Sequence, residues 1–133
     1  MENKEYKLQD KVFTLKKRSL KVRRDTIDLF RNVQKHINEY TFDSKKFYDE
    51  AQENEKEMYK ANYDADLQIG LYTFFADENN LKSLFEKTLD GDINSINYEV
   101  ETDEAIDELI KFGVEVFNDF FMNSSKEQTQ PTQ

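Results

Sequence analysis

The stretch TDEAIDELIKFGVEVFNDFFM, residues 102–122, decides the fold class. Ile106, Leu109, Ile110, Gly113, Phe117, Phe120 and Phe121 recur at spacings of three and four, which puts them on one stripe of an amphipathic helix. Thr102 or Asp103 caps it, and Asp103, Glu104, Asp107 and Glu108 crowd the first turns, where the positive end of the helix dipole favours them.

Working back from that helix, the same periodicity recurs. Leu81, Leu84, Phe85 and Leu89 form a stripe opened by Asp77 and closed by Asp90-Gly91. Leu67, Leu71, Phe74 and Phe75 form another, opened by Asp64 or Asp66 and weakened by Gly70. Phe47, Ala51, Met58, Ala61 and Ala65 follow an Asp43-Ser44 cap, with the wholly polar run Gln52–Glu57 in mid-helix, either solvated or against a partner. Ile27, Phe30, Val33, Ile37 and Tyr40 define the first helix. Ser19 or Asp25 can cap it, and the cations at 16–24 oppose the helix dipole and favour Asp25. Ahead of it, Tyr6–Leu8 and Val12–Leu15 flank the polar Gln9–Lys11 and read as a β-hairpin that must pack on the helices. Ile93–Val100 reads equally as extended chain or loop. After Met122 come eleven residues without an apolar side chain, a disordered tail over 123–133. The expected architecture is mainly α: one compact domain over 1–122, with four to five helices and a short hairpin at about 5–15.

Composition narrows function. Of 133 residues, 18 are Phe or Tyr (11 + 7), enough to build a core, and none is Cys, which removes disulfides, thiolate zinc sites and Cys nucleophiles. The single histidine, His36, has no Ser or Cys partner in a recognisable relation to it, and no phosphate-loop, dinucleotide or hydrolase motif occurs. The expectation is a non-enzymatic protein without a cofactor. The start lacks the apolar stretch of about 7–15 residues that a secretory signal needs. No run of about 18 apolar residues is present. The chain is therefore expected to be cytoplasmic and away from membranes.

Charge is divided along the chain. Residues 1–35 hold 11 Lys/Arg and 5 Asp/Glu, a net +6. The remaining 8 Lys/Arg and 23 Asp/Glu give −15, and the total is −9. Lys16, Lys17, Arg18, Lys21, Arg23 and Arg24 form a basic patch that faces either the protein's own acidic remainder or another molecule. Direct nucleic-acid binding through it is disfavoured, because the acidic remainder repels phosphate. In the acidic loop, Asp90, Asp92, Asn94 and Glu101 stand at positions one, three, five and twelve of a calcium loop. Ser95 at the sixth position and Asn97 at the eighth depart from the pattern. The competing reading is that Asp90-Gly91 ends one helix while the later acids begin the next.

The short hairpin Tyr6–Leu15 running into Ser19-Leu-Lys-Val22, with the closing helix bearing Ile106, Leu109, Ile110, Phe117, Phe120 and Phe121, resembles the tail assembly chaperones of long-tailed phages. These are small, acidic, mainly helical proteins, and the similarity covers roughly residues 5–122. The resemblance implies a chaperone that holds the long helical tape-measure protein soluble during tail assembly, partly as a longer frameshifted product. An apolar stripe on a highly charged carrier suits such a client. Phe74, Phe75, Phe117, Phe120 and Phe121 are the expected contact residues. Were they buried, contact would fall to the hairpin or to Gln52–Glu57. Monomer and ring-former fit the sequence equally. The rival reading is an acidic inhibitor that imitates nucleic-acid charge and blocks a nucleic-acid-binding defence protein.

Overall fold

In the computed structural model, residues 4–123 are described. Strands β1 (Glu5–Leu8) and β2 (Lys11–Leu15) lead into α1 (Leu20–Tyr40), α2 (Phe42–Glu50), α3 (Lys56–Phe75), α4 (Glu78–Thr88), the two-residue strand β3 (Leu89–Asp90) and α5 (Asp103–Phe117), which continues as a π-type turn, Asn118–Asn123. The fold is mainly helical with an N-terminal hairpin, as the periodicities require. The expected tail, apart from Asn123, lies outside the described residues.

The hairpin turns on two residues. Leu8 pairs with Lys11, so Gln9 and Asp10 alone make the turn, and both hold positive φ (53° and 63°). That geometry matches the twist of the strands but is normally left to Gly or Asn. Gln9 secures it: its side-chain amide donates to the Asn97 carbonyl and accepts from the Asn97 N–H, each at 2.8 Å. β2 lies between β1 and β3. Gly91 follows β3 at φ 135°, where a Cβ would stand 2.7 Å from the Phe13 ring, so only glycine lets the chain leave the sheet there.

The helices sandwich one core. α3 and α4 pack against both α1 and α5. Phe75, Leu84, Phe85 and Val116 are wholly inaccessible at its centre. Phe112 joins hairpin to helices, with its ring 6.2 Å from those of Tyr6 and Phe13 and 5.5 Å from that of Phe85. α5 therefore buries a wider arc than its expected stripe. Phe112 and Val116 enter the core, while Ile106 lies at the margin, 38% exposed. Gly113 permits the close approach of α4, since a Cβ there would meet the Leu81 side chain at 2.5 Å.

Several boundaries differ from the sequence expectation: α2 begins at Phe42, ahead of the expected Asp43-Ser44 cap, and α4 ends at Thr88, so Leu89 belongs to β3 rather than to the helical stripe. α1 starts at Leu20, capped by the Ser19 hydroxyl, which accepts from the Val22 N–H at 3.1 Å. A cap of this kind contributes about 1 kcal/mol, whereas exposed cations oppose the dipole by a few tenths, so the cap prevails over the expected start at Asp25. No helix begins at Asp64 or Asp66: α3 runs unbroken through both. The break falls at Ala51 and Gln52, which are extended, followed by a single helical turn at Glu53–Glu55. This reversal brings Tyr48 against Tyr63 and Phe47 against Tyr59, contacts that one straight helix over 43–65 would forgo.

Candidate functional site

The five phenylalanines expected to face a partner belong to the interior. Phe74, Phe75, Phe117 and Phe120 are buried, and Phe121 is half-buried, its ring 5.2 Å from that of Phe30 and 4.8 Å from that of Phe117. The stripes of α3 and α5 face one another, so each is the other's partner; the Phe75 and Phe117 rings are 5.6 Å apart. The contact assignment to these residues is corrected accordingly.

Exposed aromatic surface lies instead on an arm made by the end of α1, all of α2 and the first half of α3. α2 buries no residue, and α3 buries none before Gly70. Those fourteen residues of α3 extend about 21 Å at 1.5 Å per residue. Phe42 is 67% exposed, Phe47 57% and Met58 55%. The arm is held by ring contacts, Phe47–Tyr59 at 6.2 Å and Tyr48–Tyr63 at 6.5 Å, with the Lys56 ammonium 4.9 Å over the Tyr48 ring. Such contacts contribute about 0.5–1.5 kcal/mol each, well below what a buried aromatic core provides. Residues 42–69 hold 8 acids and 4 lysines, a net −4. Two of the lysines are spent within their own helices, Lys45 on Asp49 at 3.0 Å and Lys60 on Asp64 at 2.8 Å, and the hydrogen bond to the carboxylate raises each lysine's pKa. The polar run Gln52–Glu57 is the tip of this arm, not the middle of a helix. Sequence periodicity cannot reveal such a surface, because its residues look like half of an ordinary amphipathic stripe.

The basic patch is divided. Lys16 donates its backbone N–H to the Thr88 carbonyl at 2.8 Å and its ammonium to that of Glu86 at 3.0 Å. It thereby satisfies acceptors at the C-terminal end of α4, where cations are favoured. Arg18 donates to the Phe120 carbonyl and lies 4.5 Å over the Phe120 ring; burial lowers its pKa. Lys21 and Arg24 approach Asp25, at 2.9 and 3.6 Å, and hydrogen bonding to Lys21 lowers the Asp25 pKa. Lys17 and Arg23 make no ion pair among the described residues. The patch thus meets helix ends and its own helix more than the acidic remainder.

The calcium-loop residues do not converge. Asp90 pairs in the sheet opposite Thr14, the chain turns at Ile93–Ser95, and Ile96 is drawn into the core. Among the described residues no three His, Asp or Glu side chains gather to hold a metal. Asp90, Asp92, Asn94 and Glu101 lie along the connection between α4 and α5. His36 is half-buried and shares a 2.9 Å hydrogen bond with Thr73, beside Tyr40 and Phe74.

At the other end of the molecule an open groove of about 670 Å³ lies between the hairpin turn and α5. Lys4 closes one end of this junction, with ion pairs to Glu115 and Asp119, both 2.8 Å, while the Tyr6 hydroxyl donates to Asp119 at 2.8 Å. No helix among the described residues is long and apolar enough to cross a membrane. No family model matches the chain, and neither a curated protein nor a solved structure matches it.

Proposed function

We propose that this chain is a non-enzymatic, cytoplasmic assembly chaperone or adaptor that holds a long helical client, such as a phage tape-measure protein, against its arm. One observation carries the reading: α2 and the first half of α3 bury nothing, yet they present Phe42, Phe47 and Met58 to solvent. Large apolar side chains grouped on a slender element with no core of its own suit helix-against-helix binding. The acids around them keep the unloaded protein soluble and favour a client with basic residues flanking its apolar stripe. The charge-mimic alternative is less well supported. Four lysines are interspersed among the arm's eight acids, and Lys17 and Arg23 leave positive charge at the opposite end of α1.

The test is capture from native extract with a tagged chain, followed by co-expression with the captured helical protein. Wild type is expected to keep that protein soluble in a complex that survives high salt. Phe42→Ser with Phe47→Ser is expected to lose the complex while leaving the circular dichroism spectrum unchanged. Retention by the double variant, or capture only of a nucleic-acid-binding protein released by salt, would sink this reading.

A further inference from the structure

We infer that the open edge of β1 is a second binding site, which takes an extended segment of a partner protein as an added β-strand. The hydrogen-bonding pattern locates the edge. Leu8 and Lys11 flank the two-residue turn and exchange hydrogen bonds, so the main-chain groups of Tyr6 and Leu8 face β2 and those of Glu5 and Lys7 face away. Among the described residues the outward N–H and C=O groups of Glu5 and Lys7 meet no hydrogen-bond partner. Folded proteins guard such an edge by keeping it short, by charging it or by covering it with a helix or loop; β1 is short and charged but uncovered among the described residues. The groove of about 670 Å³ opens at the turn end of this strand, lined there by Lys7, Leu8 and Asp10 and across from them by Glu108, Lys111 and Phe112 of α5.

The chemistry of the edge selects the occupant. Donors and acceptors repeating along four extended residues, about 13 Å, are satisfied in full only by another strand; a helix has no main-chain groups to spare. Leu8 and Phe112 give the groove an apolar floor for alternate side chains of that strand, and charges on both walls suit a sequence whose apolar residues alternate with polar ones.

The edge is also preorganised. At one end the Gln9 amide clamps the positive-φ turn to Asn97, and Lys11 reaches the Ser95 carbonyl at 3.2 Å. At the other, Lys4 and Tyr6 tie the strand to α5 and the π-type turn. A strand held at both ends loses little conformational freedom on binding. The site is separate from the arm, which lies beyond the far end of α1, a helix of about 31 Å.

The experiment uses the full chain, labelled with nitrogen-15, and a capped seven-residue peptide of alternating Val and Thr. Peptide is expected to shift the Glu5 and Lys7 amide signals and slow their hydrogen exchange. Lys7→Pro removes an outward N–H that β2 does not use and is expected to weaken binding at least tenfold; Phe47→Ser is expected to leave it unchanged. A second arm needs no variant. N-methylation of the peptide residues that face β1 should abolish binding, and N-methylation of the others should not. Shifts confined to other residues, binding indifferent to both methylation patterns, or protection of the same amides by dimerisation of the protein alone would each overturn the assignment.

Discussion

The two ends of α1 pose opposite problems with the same residue types. Over residues 26–33 the helix borders a core in which Phe13, Phe75, Phe85 and Phe120 are almost completely buried, ring against ring, beneath a hairpin pinned by Lys4, Tyr6 and Gln9. Beyond its second half, Phe42 and Phe47 stand in water on α2, a short helix that packs chiefly on α3. Burial of an aromatic side chain removes about 150–250 Å² from solvent, and exposure leaves that surface for another molecule. An aromatic residue's role here thus depends less on its helical stripe than on whether that stretch of helix has a neighbour.

The sharpest way to break the contrast is to truncate one ring in each region. Phe75→Ala should cost about 3–5 kcal/mol, because it empties the centre of the core. Phe47→Ala should cost about 1 kcal/mol or less, the contact of one exposed ring pair. Urea unfolding of both variants decides, and equal losses would show that the arm is as integral to the fold as the core. A smaller effect concerns the hairpin that closes the core. Asp10 is exposed at φ 63° without a side-chain partner among the described residues, so Asp10→Gly should raise stability by about 1 kcal/mol, read as a higher unfolding midpoint. Gln9→Gly is expected to do the reverse, because it deletes the clamp on Asn97.

A separate effect is alkaline. Burial, followed by the charges of Glu86 and Glu78, pushes the Tyr98 hydroxyl up to about 12 from an ordinary value of 10.0. Between those values the unfolded chain gives up this proton while the folded chain keeps it, so stability is full below pH 10 and declines toward pH 12. Tyr98→Phe should flatten that part of the stability curve. An unchanged slope would assign the alkaline loss elsewhere, the Lys4 ion pairs being the next group: hydrogen bonds to Asp119 and Glu115 raise the Lys4 pKa, and its contribution also fades as pH rises through it.

Much of the fold was legible from local pattern. The stripe Leu109, Ile110, Phe117 and the caps at Asp77 and Thr102 mark α4 and α5, since side-chain spacing and capping chemistry act within a few residues. The hairpin was legible too, though its turn fell on Gln9-Asp10 rather than Gln9–Lys11, because the partner that tolerates the strain, Asn97, lies 88 residues away. The candidate sites were not legible. The Phe-rich stripes were legible as apolar but not as covered. The polar run Gln52–Glu57 carried no sign that the chain would reverse there.

What this sequence determined by itself was the set of helical stripes, the hairpin, the caps at Asp77 and Thr102 and the division of charge, all set by interactions between near neighbours in the chain. Only the tertiary structure decided which aromatic residues are interior, where the second helix breaks, and how the basic residues are shared between helix ends and solvent. Those outcomes depend on which surfaces meet across the fold, and burial is a property of a pair of surfaces that neither one's sequence contains.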